Sequence, residues 1–421
     1  MKGARKQPAN RSFLRRHRWA RYSLLGLVVL IGIVIVLGAV VKIRSDRLQA
    51  RLAPFYVTTG LHTVGAPGEI VRHEPLGSSV PGGYGVRILY RTQRANGSYT
   101  FSSGIVYIPN RLAAGKPVVA WAHGTLGLGD QCAPSRTSNP PATMPGLAAM
   151  MQKGWVVTAT DYAGFGTPGE QGYLVGGDEA RDVLNSVRAA RQLTGASANV
   201  AVWGHSQGGN SALFTANQAV SYAPELRLAG TVASAPAAEL IPLLNEQYGT
   251  VADWVIGPLV ATSWPAANPA LHADDILTPL GLRTYPTIAN QCILPATIEG
   301  LGRSVLGQTF FAKNPIEVAS WRGMAQQQSA PHLGPLQPLL VVESQADQVV
   351  LPNTTALYIK QACEIGTNPS TLWLEKVAHQ DIPDKSAAQV IGWIGDRFSG
   401  MRYGSGCNQP LPVAPYSGLG S

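Results

Sequence analysis

The chain has 421 residues, of which 45% are hydrophobic and 14% charged, a composition typical of a globular enzyme with a large core. Its net charge of +9 comes from the amino-terminal segment, because residues 1–51 hold twelve of the 33 lysines and arginines and only one of the 24 acids. The remainder is close to neutral, which argues against a nucleic-acid-binding protein.

The amino-terminal segment contains nineteen consecutive uncharged residues, 23–41. As a helix they would be about 30 Å long, enough to cross the hydrocarbon core of a membrane. Eight basic residues precede them and four follow, which predicts a basic cytoplasmic leader over 1–22, a transmembrane signal anchor over 23–41 and a linker over 42–65. The alternative is a cleaved signal peptide, whose apolar core is usually shorter and ends at an Ala-x-Ala-like site. Both interpretations place the rest of the chain outside the cytoplasm.

The remainder of the chain alternates between strand-like and helix-like segments. The first two predicted strands are joined around Asn96-Gly97, a pair that favours a tight hairpin turn. In chain order, the pattern predicts strands over 83–90, 99–109, 118–122, 155–160, 200–203 and 229–234, and helices over 179–193 and 210–220. This alternation predicts a mainly parallel sheet with helices on both faces.

The sequence Gly204-His205-Ser206-Gln207-Gly208 lies between an apolar strand and a helix. Gly-x-Ser-x-Gly in that setting predicts a nucleophile elbow, in which Gly204 and Gly208 permit a sharp turn and Ser206 projects its hydroxyl above the sheet. The amino terminus of the following helix then stabilises the charge that develops during reaction. The alternative is a serine that only caps the helix.

An oxyanion hole in this arrangement uses the N–H of the residue after the nucleophile, here Gln207, and an N–H from a loop after an earlier strand. The strand over 118–122 leads into His123-Gly124-Thr125. Gly124 lets the backbone approach a substrate, so the Thr125 amide is the predicted second donor. His123 precedes the serine in the chain and is therefore predicted to hold this loop.

Two segments interrupt or follow the alternation. Residues 237–335 are rich in proline, leucine, alanine and tryptophan, and we predict a helical cap above the nucleophile, with Trp254 and Phe310 lining an acyl site. The alternative is an extra structural subdomain. The core is then predicted over 66–236 and 336–400.

Residues 401–421 carry no strong periodicity and are predicted to be a mobile flap or a disordered tail.

The base and its orienting acid are predicted downstream of the nucleophile. An apolar strand over 338–342 leads into a loop with Asp347, and a strand over 371–377 leads into His379. Serine, acid and histidine in this order, each following a strand, are typical of the α/β-hydrolase fold. The predicted triad is Ser206, Asp347 and His379, with Glu343 as the weaker candidate for the acid.

The four cysteines are Cys132, Cys292, Cys363 and Cys407. They are compatible with two disulfides in an exported protein. No two lie closer than 44 residues, a spacing that argues against a zinc site. The sequence allows three pairings. We expect neither a metal nor a cofactor.

From about residue 54 to 410 the chain resembles the secretory lipases, a branch of the α/β-hydrolases that includes fungal lipase A-type enzymes. Besides Asp347 and His379, the resemblance rests on segments 67–72, 74–76, 103–109, 123–125, 132–135, 161–169 and 204–209. The most specific of these is Asp-Tyr-x-Gly-x-Gly-Thr-Pro-Gly at 161–169. One departure is Ala163, where the family often has an acid.

The resemblance implies hydrolysis of carboxylic esters, commonly acylglycerols, without a cofactor. It also implies disulfides Cys132–Cys292 and Cys363–Cys407, the first joining the oxyanion-side loop to the insertion. The expected partners are a lipid or small ester substrate and, through the amino-terminal helix, a membrane. The oligomeric state is left open.

Three other functions fit parts of the pattern. A cell-envelope acyltransferase would use the same triad with a hydroxyl acceptor in place of water. A peptidase can also use an elbow serine, and a membrane-tethered binding protein would carry a dead site. Epoxide hydrolases and dehalogenases are excluded, because they share this fold but have aspartate at the elbow.

Overall fold

The computed structural model describes residues 32, 36, 38–111 and 113–418. The chain forms two compact units, Met1–Pro54 and Phe55–Ser421. In the first unit residues 38–54 are helical, so the predicted linker is helical in its first part. The predicted leader and most of the predicted span over 23–41 lie outside the described residues. Among the described residues, no helix is long and apolar enough to span a membrane.

The second unit contains one nine-stranded sheet. Its strands are β1 Ile70–Pro75, β2 Gly83–Gln93, β3 Tyr99–Pro109, β4 Val118–Ala122, β5 Val156–Thr160, β6 Asn199–His205, β7 Arg227–Ser234, β8 Leu339–Ser344 and β9 Ser370–Leu374. They are ordered β1-β2-β3-β5-β4-β6-β7-β8-β9. The first three strands pair antiparallel, and β3 pairs antiparallel with β5. The remaining strands are parallel, so the structure has an α/β-hydrolase-like fold.

Eleven α-helices are described in this unit. They are α1 Leu147–Gln152, α2 Gly176–Thr194, α3 Gln207–Tyr222, α4 Leu240–Gln247, α5 Ala252–Val255, α6 Gly257–Ala267, α7 Pro279–Ala289, α8 Ile293–Val305, α9 Ala319–Gln328, α10 Pro352–Glu364 and α11 Ile382–Phe398. Short 3₁₀ helices cover Asp130–Cys132, Pro134–Arg136, Pro140–Thr143, Ala273–Asp275, Pro315–Glu317 and His379–Asp381.

The central strands are buried on both faces, which explains their unbroken apolar sequence. On β4, Val118 and Ala120 belong to the core cluster that includes residues of α2 and α3. The alternate residues Val119 and Trp121 belong to the opposite cluster, together with residues of α1 and α11. Each strand thus contributes to two cores, and the carboxyl ends of the parallel strands meet at one edge of the sheet.

The strand that sequence analysis missed is β1, at the edge of the sheet. Its residues are half-buried or exposed and include Arg72, His73 and Glu74. An edge strand with polar side chains lacks the apolar run or alternation that identified the others. The predicted strand over 371–377 is also shorter, since it ends at Leu374.

The segment between β7 and β8 contains α4 to α9. The indole of Trp254 packs against Phe310 with ring centroids 5.1 Å apart, and both side chains are almost fully buried. The disulfide Cys132–Cys292 joins this segment to the region after β4, as the family resemblance implies. The insertion therefore has its own aromatic core and a covalent tie to the sheet region.

The carboxy-terminal residues 401–418 contain neither helix nor strand, but they are tied to the core. Cys407 forms a disulfide with Cys363 of α10. The Tyr416 amide donates to the Asn353 carbonyl at 3.0 Å, and the Asn245 side chain of α4 donates to the Tyr416 hydroxyl at 3.0 Å. These bonds link the tail to both the core and the insertion.

Candidate active site

Ser206 lies at the turn from β6 into α3. Its backbone has φ 58° and ψ −119°, a region that non-glycine residues rarely occupy and that marks a strained turn. The Ser206 carbonyl accepts from the amides of Asn210 at 3.1 Å and Ala237 at 3.2 Å. Its side chain is only 7% exposed and lines a cavity beneath the insertion.

The two elbow glycines are needed for close packing. Neither has a positive φ; in this motif only Ser206 does. A Cβ on Gly204 would collide with the Gly208 carbonyl, and a Cβ on Gly208 would collide with the Ala122 carbonyl of β4. The sequence prediction that both positions require glycine is consistent with the structure, although the reason is backbone contact between β6, α3 and β4.

Asp347 and His379 come together from the loops that follow β8 and β9. The His379 Nδ1 donates to Asp347 Oδ2 at 2.6 Å, because a carboxylate can only accept. The other oxygen, Oδ1, accepts from the amides of Val349 at 2.7 Å and Val350 at 3.0 Å. This pairing fixes the imidazole tautomer and leaves Nε2 as the ring's proton acceptor.

Glu343, the weaker sequence candidate for the acid, is held elsewhere. Its carboxylate accepts from the Thr355 hydroxyl at 2.6 Å and the Ser344 amide at 2.7 Å. Burial, together with the neighbouring charge of Asp347, raises the pKa of Glu343 well above its ordinary value. It is Asp347, and not Glu343, that contacts His379.

His205 lies against the imidazole of His379. The ring centroids are 4.6 Å apart, and the His205 Nε2 donates to the His379 carbonyl at 3.0 Å. Burial, reinforced by His379, lowers the pKa of His205 well below its ordinary value, so His205 is neutral. This contact has no signal in the sequence, because the two residues are 174 positions apart.

The predicted oxyanion residues lie on two sides of Ser206. As the first residue of α3, Gln207 has an N–H without an intrahelical partner. A Cβ on Gly124 would lie 3.3 Å from the Ser206 Cβ, so the loop after β4 passes beside Ser206. The next residue, Thr125, lines the cavity, and its hydroxyl shares a hydrogen bond with that of Tyr173 at 2.8 Å.

His123 supports this loop from beneath. Its Nδ1 lies 2.7 Å from the Gly124 carbonyl and its Nε2 lies 3.3 Å from the Asp161 carbonyl. Its ring packs against Tyr162, and burial lowers its pKa. These contacts agree with a structural role.

The cavity has a volume of about 430 Å³ and is lined mainly by apolar side chains. Ser206 and His379 line it from the sheet side, and the insertion supplies most of the remaining wall, including Leu243, Leu244, Val255, Ile256, Val260, Trp264 and Phe311. Trp254 and Phe310 do not line it, so the prediction that they border the acyl site was wrong. They form the core of the insertion, and their neighbour Phe311 faces the cavity.

No group of three or more histidine, cysteine or acidic side chains is arranged to hold a metal ion within the part of the chain that the structure describes. The arrangement at the cavity is instead a serine on a strained turn and a histidine bonded to a buried carboxylate, with Thr125 and Gln207 also lining the cavity. These are the parts required for nucleophilic attack on an acyl carbon.

The model of the secretory lipase family matches residues 132–406. The chain belongs to the secretory lipase family. It is 24% identical over 357 residues to the secreted triacylglycerol lipase LIP7 of Malassezia globosa, covering 79% of this chain and 75% of that protein. It is 25% identical over 379 residues to the "Probable inactive lipase MT1628" of Mycobacterium tuberculosis, covering 82% of each.

Solved structures share the fold of this secretory lipase. Candida antarctica lipase A in its closed state superposes with a TM-score of 0.70 at 18% identity, covering 87% of this chain and 90% of that one. The rice cell wall degrading esterase LipA of Xanthomonas oryzae gives a TM-score of 0.68 at 17% identity, covering 80% and 100%.

Proposed function

We propose that this secretory lipase hydrolyses carboxylic esters through an acyl-enzyme formed on Ser206, with His379 as general base and Asp347 as the orienting acid. The observation that carries the proposal is the 2.6 Å bond between His379 Nδ1 and Asp347 Oδ2 in a cavity that Ser206 and His379 both line. Ester hydrolysis is the activity of the family to which the chain belongs.

The reaction proceeds in two halves. In the first, Ser206 Oγ attacks the ester carbonyl while His379 Nε2 takes its proton, and Asp347 stabilises the resulting imidazolium. His379 then protonates the leaving alcohol, and the acyl group stays on Ser206. In the second half, water gives a proton to His379 and attacks the acyl carbon. The bond between the acyl carbon and Ser206 Oγ then breaks, and His379 returns the proton to Ser206 Oγ as the acid is released.

The developing oxyanion is held by the amides of Gln207 and Thr125. The Gln207 N–H is supported by the dipole of α3, and the Thr125 loop lies beside Ser206 because Gly124 has no side chain. Donors placed for the transition state contribute about 3–4 kcal/mol each in comparable holes.

We propose that the substrate's acyl chain occupies the cavity under the insertion. An apolar wall with few polar groups suits a hydrocarbon chain, and Leu244, Val260 and Phe311 provide such a wall. The Malassezia globosa relative is named a secreted triacylglycerol lipase, which supports an acylglycerol or a similar lipid ester as the substrate.

Shortening Phe311 should change the preferred acyl-chain length. Phe311→Leu enlarges the cavity, so the ratio of kcat/KM for long to short nitrophenyl esters should rise by about tenfold, the scale of one or two methylenes in an apolar pocket. The matched control is Phe398→Leu. Because Phe398 packs against Trp155 and does not line the cavity, this variant should lower Tm without changing the ratio. Equal ratios in the wild type and both variants would assign the insertion a structural role only.

The rival proposal is a catalytically dead binding protein, since one relative is named a probable inactive lipase. The present chain has Ser206 at the elbow and an intact His379–Asp347 pair. A phosphonate that reacts only with an activated serine distinguishes the two, because a dead site would remain unlabelled.

We propose that the uncharged segment over 23–41 is retained as a membrane anchor, with the catalytic domain on the extracytoplasmic side. The support is its length, the eight basic residues before it and the lack of a convincing cleavage site. Sequencing the amino terminus of the protein from cells should find residues of the leader over 1–22. A start between residues 39 and 52 would instead show a cleaved signal peptide.

Protease added to intact cells should release a fragment that contains Ser206, and a protected domain would contradict this orientation.

A further inference from the structure

A buried carboxyl group lies directly beneath the nucleophile elbow. Glu179, in the first turn of α2, is 1% exposed. One of its oxygens accepts from the Leu174 amide at 3.0 Å and from the Gln207 side-chain amide at 2.6 Å. The other oxygen is bonded to the Ser211 hydroxyl of α3. The triad mechanism makes no use of this group.

The proposed oxyanion hole has two walls, the amino terminus of α3 with Gln207 and the loop after β4 with Thr125. These bonds connect Glu179 to both of them. Gln207 supplies one of the two amides, and its side chain is bonded directly to Glu179. Leu174 follows Tyr173, whose hydroxyl is bonded to that of Thr125 on the opposite wall. A single carboxyl group therefore anchors the two segments whose separation determines the size of the hole.

We propose that Glu179, in its protonated form, is a positioning residue that holds the two walls of the oxyanion hole in register. The proposal rests on the proposed function, because it assigns a role in stabilising the oxyanion formed on attack by Ser206.

The hydrogen bonds around Glu179 are all satisfied when it carries a proton. The Glu179 hydroxyl donates to Ser211 Oγ, and the Ser211 hydroxyl donates to the Gln207 carbonyl at 3.1 Å. The second Glu179 oxygen still accepts from Leu174 and Gln207. Burial is the main cause that raises the pKa of Glu179 to about 8, so the neutral form prevails at neutral pH.

The titratable groups that face Glu179 do not supply a positive charge. Asp182, on the same helix, is negative when ionised and raises the pKa of Glu179. Tyr162 and Tyr173, from the loop between β5 and α2, are kept neutral because burial raises the pKa of each hydroxyl far above its ordinary value. From α3, Ser211 and Gln207 contribute uncharged groups only.

Ionisation of Glu179 should therefore oppose catalysis. It places a negative charge beneath the amino terminus of α3, where the oxyanion forms, and it requires Ser211 to turn from the Gln207 carbonyl towards Glu179. We expect kcat to fall as pH rises through about 8, with little change in KM, because the substrate carbonyl is not yet charged in the ground state.

The test is the pH dependence of nitrophenyl ester hydrolysis by the full chain, corrected for spontaneous hydrolysis. Glu179→Gln keeps the neutral hydrogen bonds, since its amide can donate to Ser211. This variant should retain kcat near pH 7 and lose the alkaline fall. Glu179→Ala should lower kcat at pH 7 by about tenfold with KM nearly unchanged, less than the loss of a hole donor itself. The matched control is Asp182→Asn, which removes a buried carboxyl group from the same helix and should keep the alkaline fall.

A second measurement compares the free energy of unfolding of the wild type and of Glu179→Gln as a function of pH. The pKa of Glu179 is about 8 in the folded protein, against an ordinary value of 4.5. The free energy of unfolding of the wild type, relative to that of Glu179→Gln, should therefore fall as the pH rises from 4.5 to 8 and stay constant above pH 8. An alkaline fall that persists in Glu179→Gln, or a constant stability difference across this window, would overturn the role of Glu179. Absence of any Ser206-dependent hydrolysis would overturn the proposed function itself.

Discussion

Replacing Ser206 with alanine should lower kcat for ester hydrolysis by about 10⁴- to 10⁶-fold, the range seen when a serine nucleophile is removed. The change deletes one hydroxyl that faces the cavity and leaves the backbone bonds of the elbow, made by the Ser206 carbonyl and amide, in place. Far-ultraviolet circular dichroism and Tm should therefore be close to the wild type. Initial rates on a nitrophenyl ester, with Tm measured on the same preparation, check both parts.

The matched control for this prediction is Ser263→Ala. Ser263 is also buried, and its hydroxyl has no hydrogen-bond partner among the described residues. It does not line the cavity, so kcat/KM should stay within about twofold of the wild type. Ester hydrolysis that survives in Ser206→Ala would show that another group is the nucleophile.

Removing His379 should lower kcat about as much as removing Ser206, and the two losses should not add. Members of a triad act as one unit, so the loss caused by removing one of them largely includes the loss caused by removing another. His379→Ala in a Ser206→Ala background should therefore cause little further loss. Asp347→Ala should lower kcat by about 10⁴-fold, somewhat less than the other two. Kinetics of the single and double variants on one ester measure this coupling.

The choice of acid is tested within the same series. Glu343 bonds Thr355 and Ser344 rather than His379, so Glu343→Gln should keep most of the activity. Near wild-type turnover in Asp347→Ala together with loss of activity in Glu343→Gln would show that Glu343 orients the base. Losses that multiply in the Ser206 and His379 double variant would contradict a shared mechanism.

The fold and the positions of Ser206, Asp347 and His379 were predictable because each follows a parallel strand, buried in the case of β6 and β8 and half-buried in the case of β9. Strands buried on both faces leave long apolar runs in the sequence, and the residues after them must meet at the carboxyl edge of the sheet. The elbow positions 204 and 208 are also recognisable because they must be glycine, since close contact between β6, α3 and β4 leaves no room for a side chain. The apolar runs and the Gly-x-Ser-x-Gly spacing are local and visible in one sequence, whereas the contact of Gly208 with Ala122 is known only from the fold.

The residues that sequence analysis missed depend on packing between distant segments. Glu179 stands in the first turn of a helix, where an acid usually faces solvent and favours the dipole; its burial against α3 has no local signature. Phe310 and Phe311 are adjacent aromatic residues, and only the folded insertion determines which of them faces the cavity. The edge strand β1 has polar residues because its side chains are half-buried or exposed to solvent.

The most direct test of the account is to label the full chain with a serine-reactive phosphonate and map the adduct by mass spectrometry. We expect one adduct, on Ser206, that forms in step with the loss of ester hydrolysis and is absent from His379→Ala, since the base is needed to activate the serine. An adduct on any other residue, or undiminished hydrolysis by protein labelled at Ser206, would contradict it.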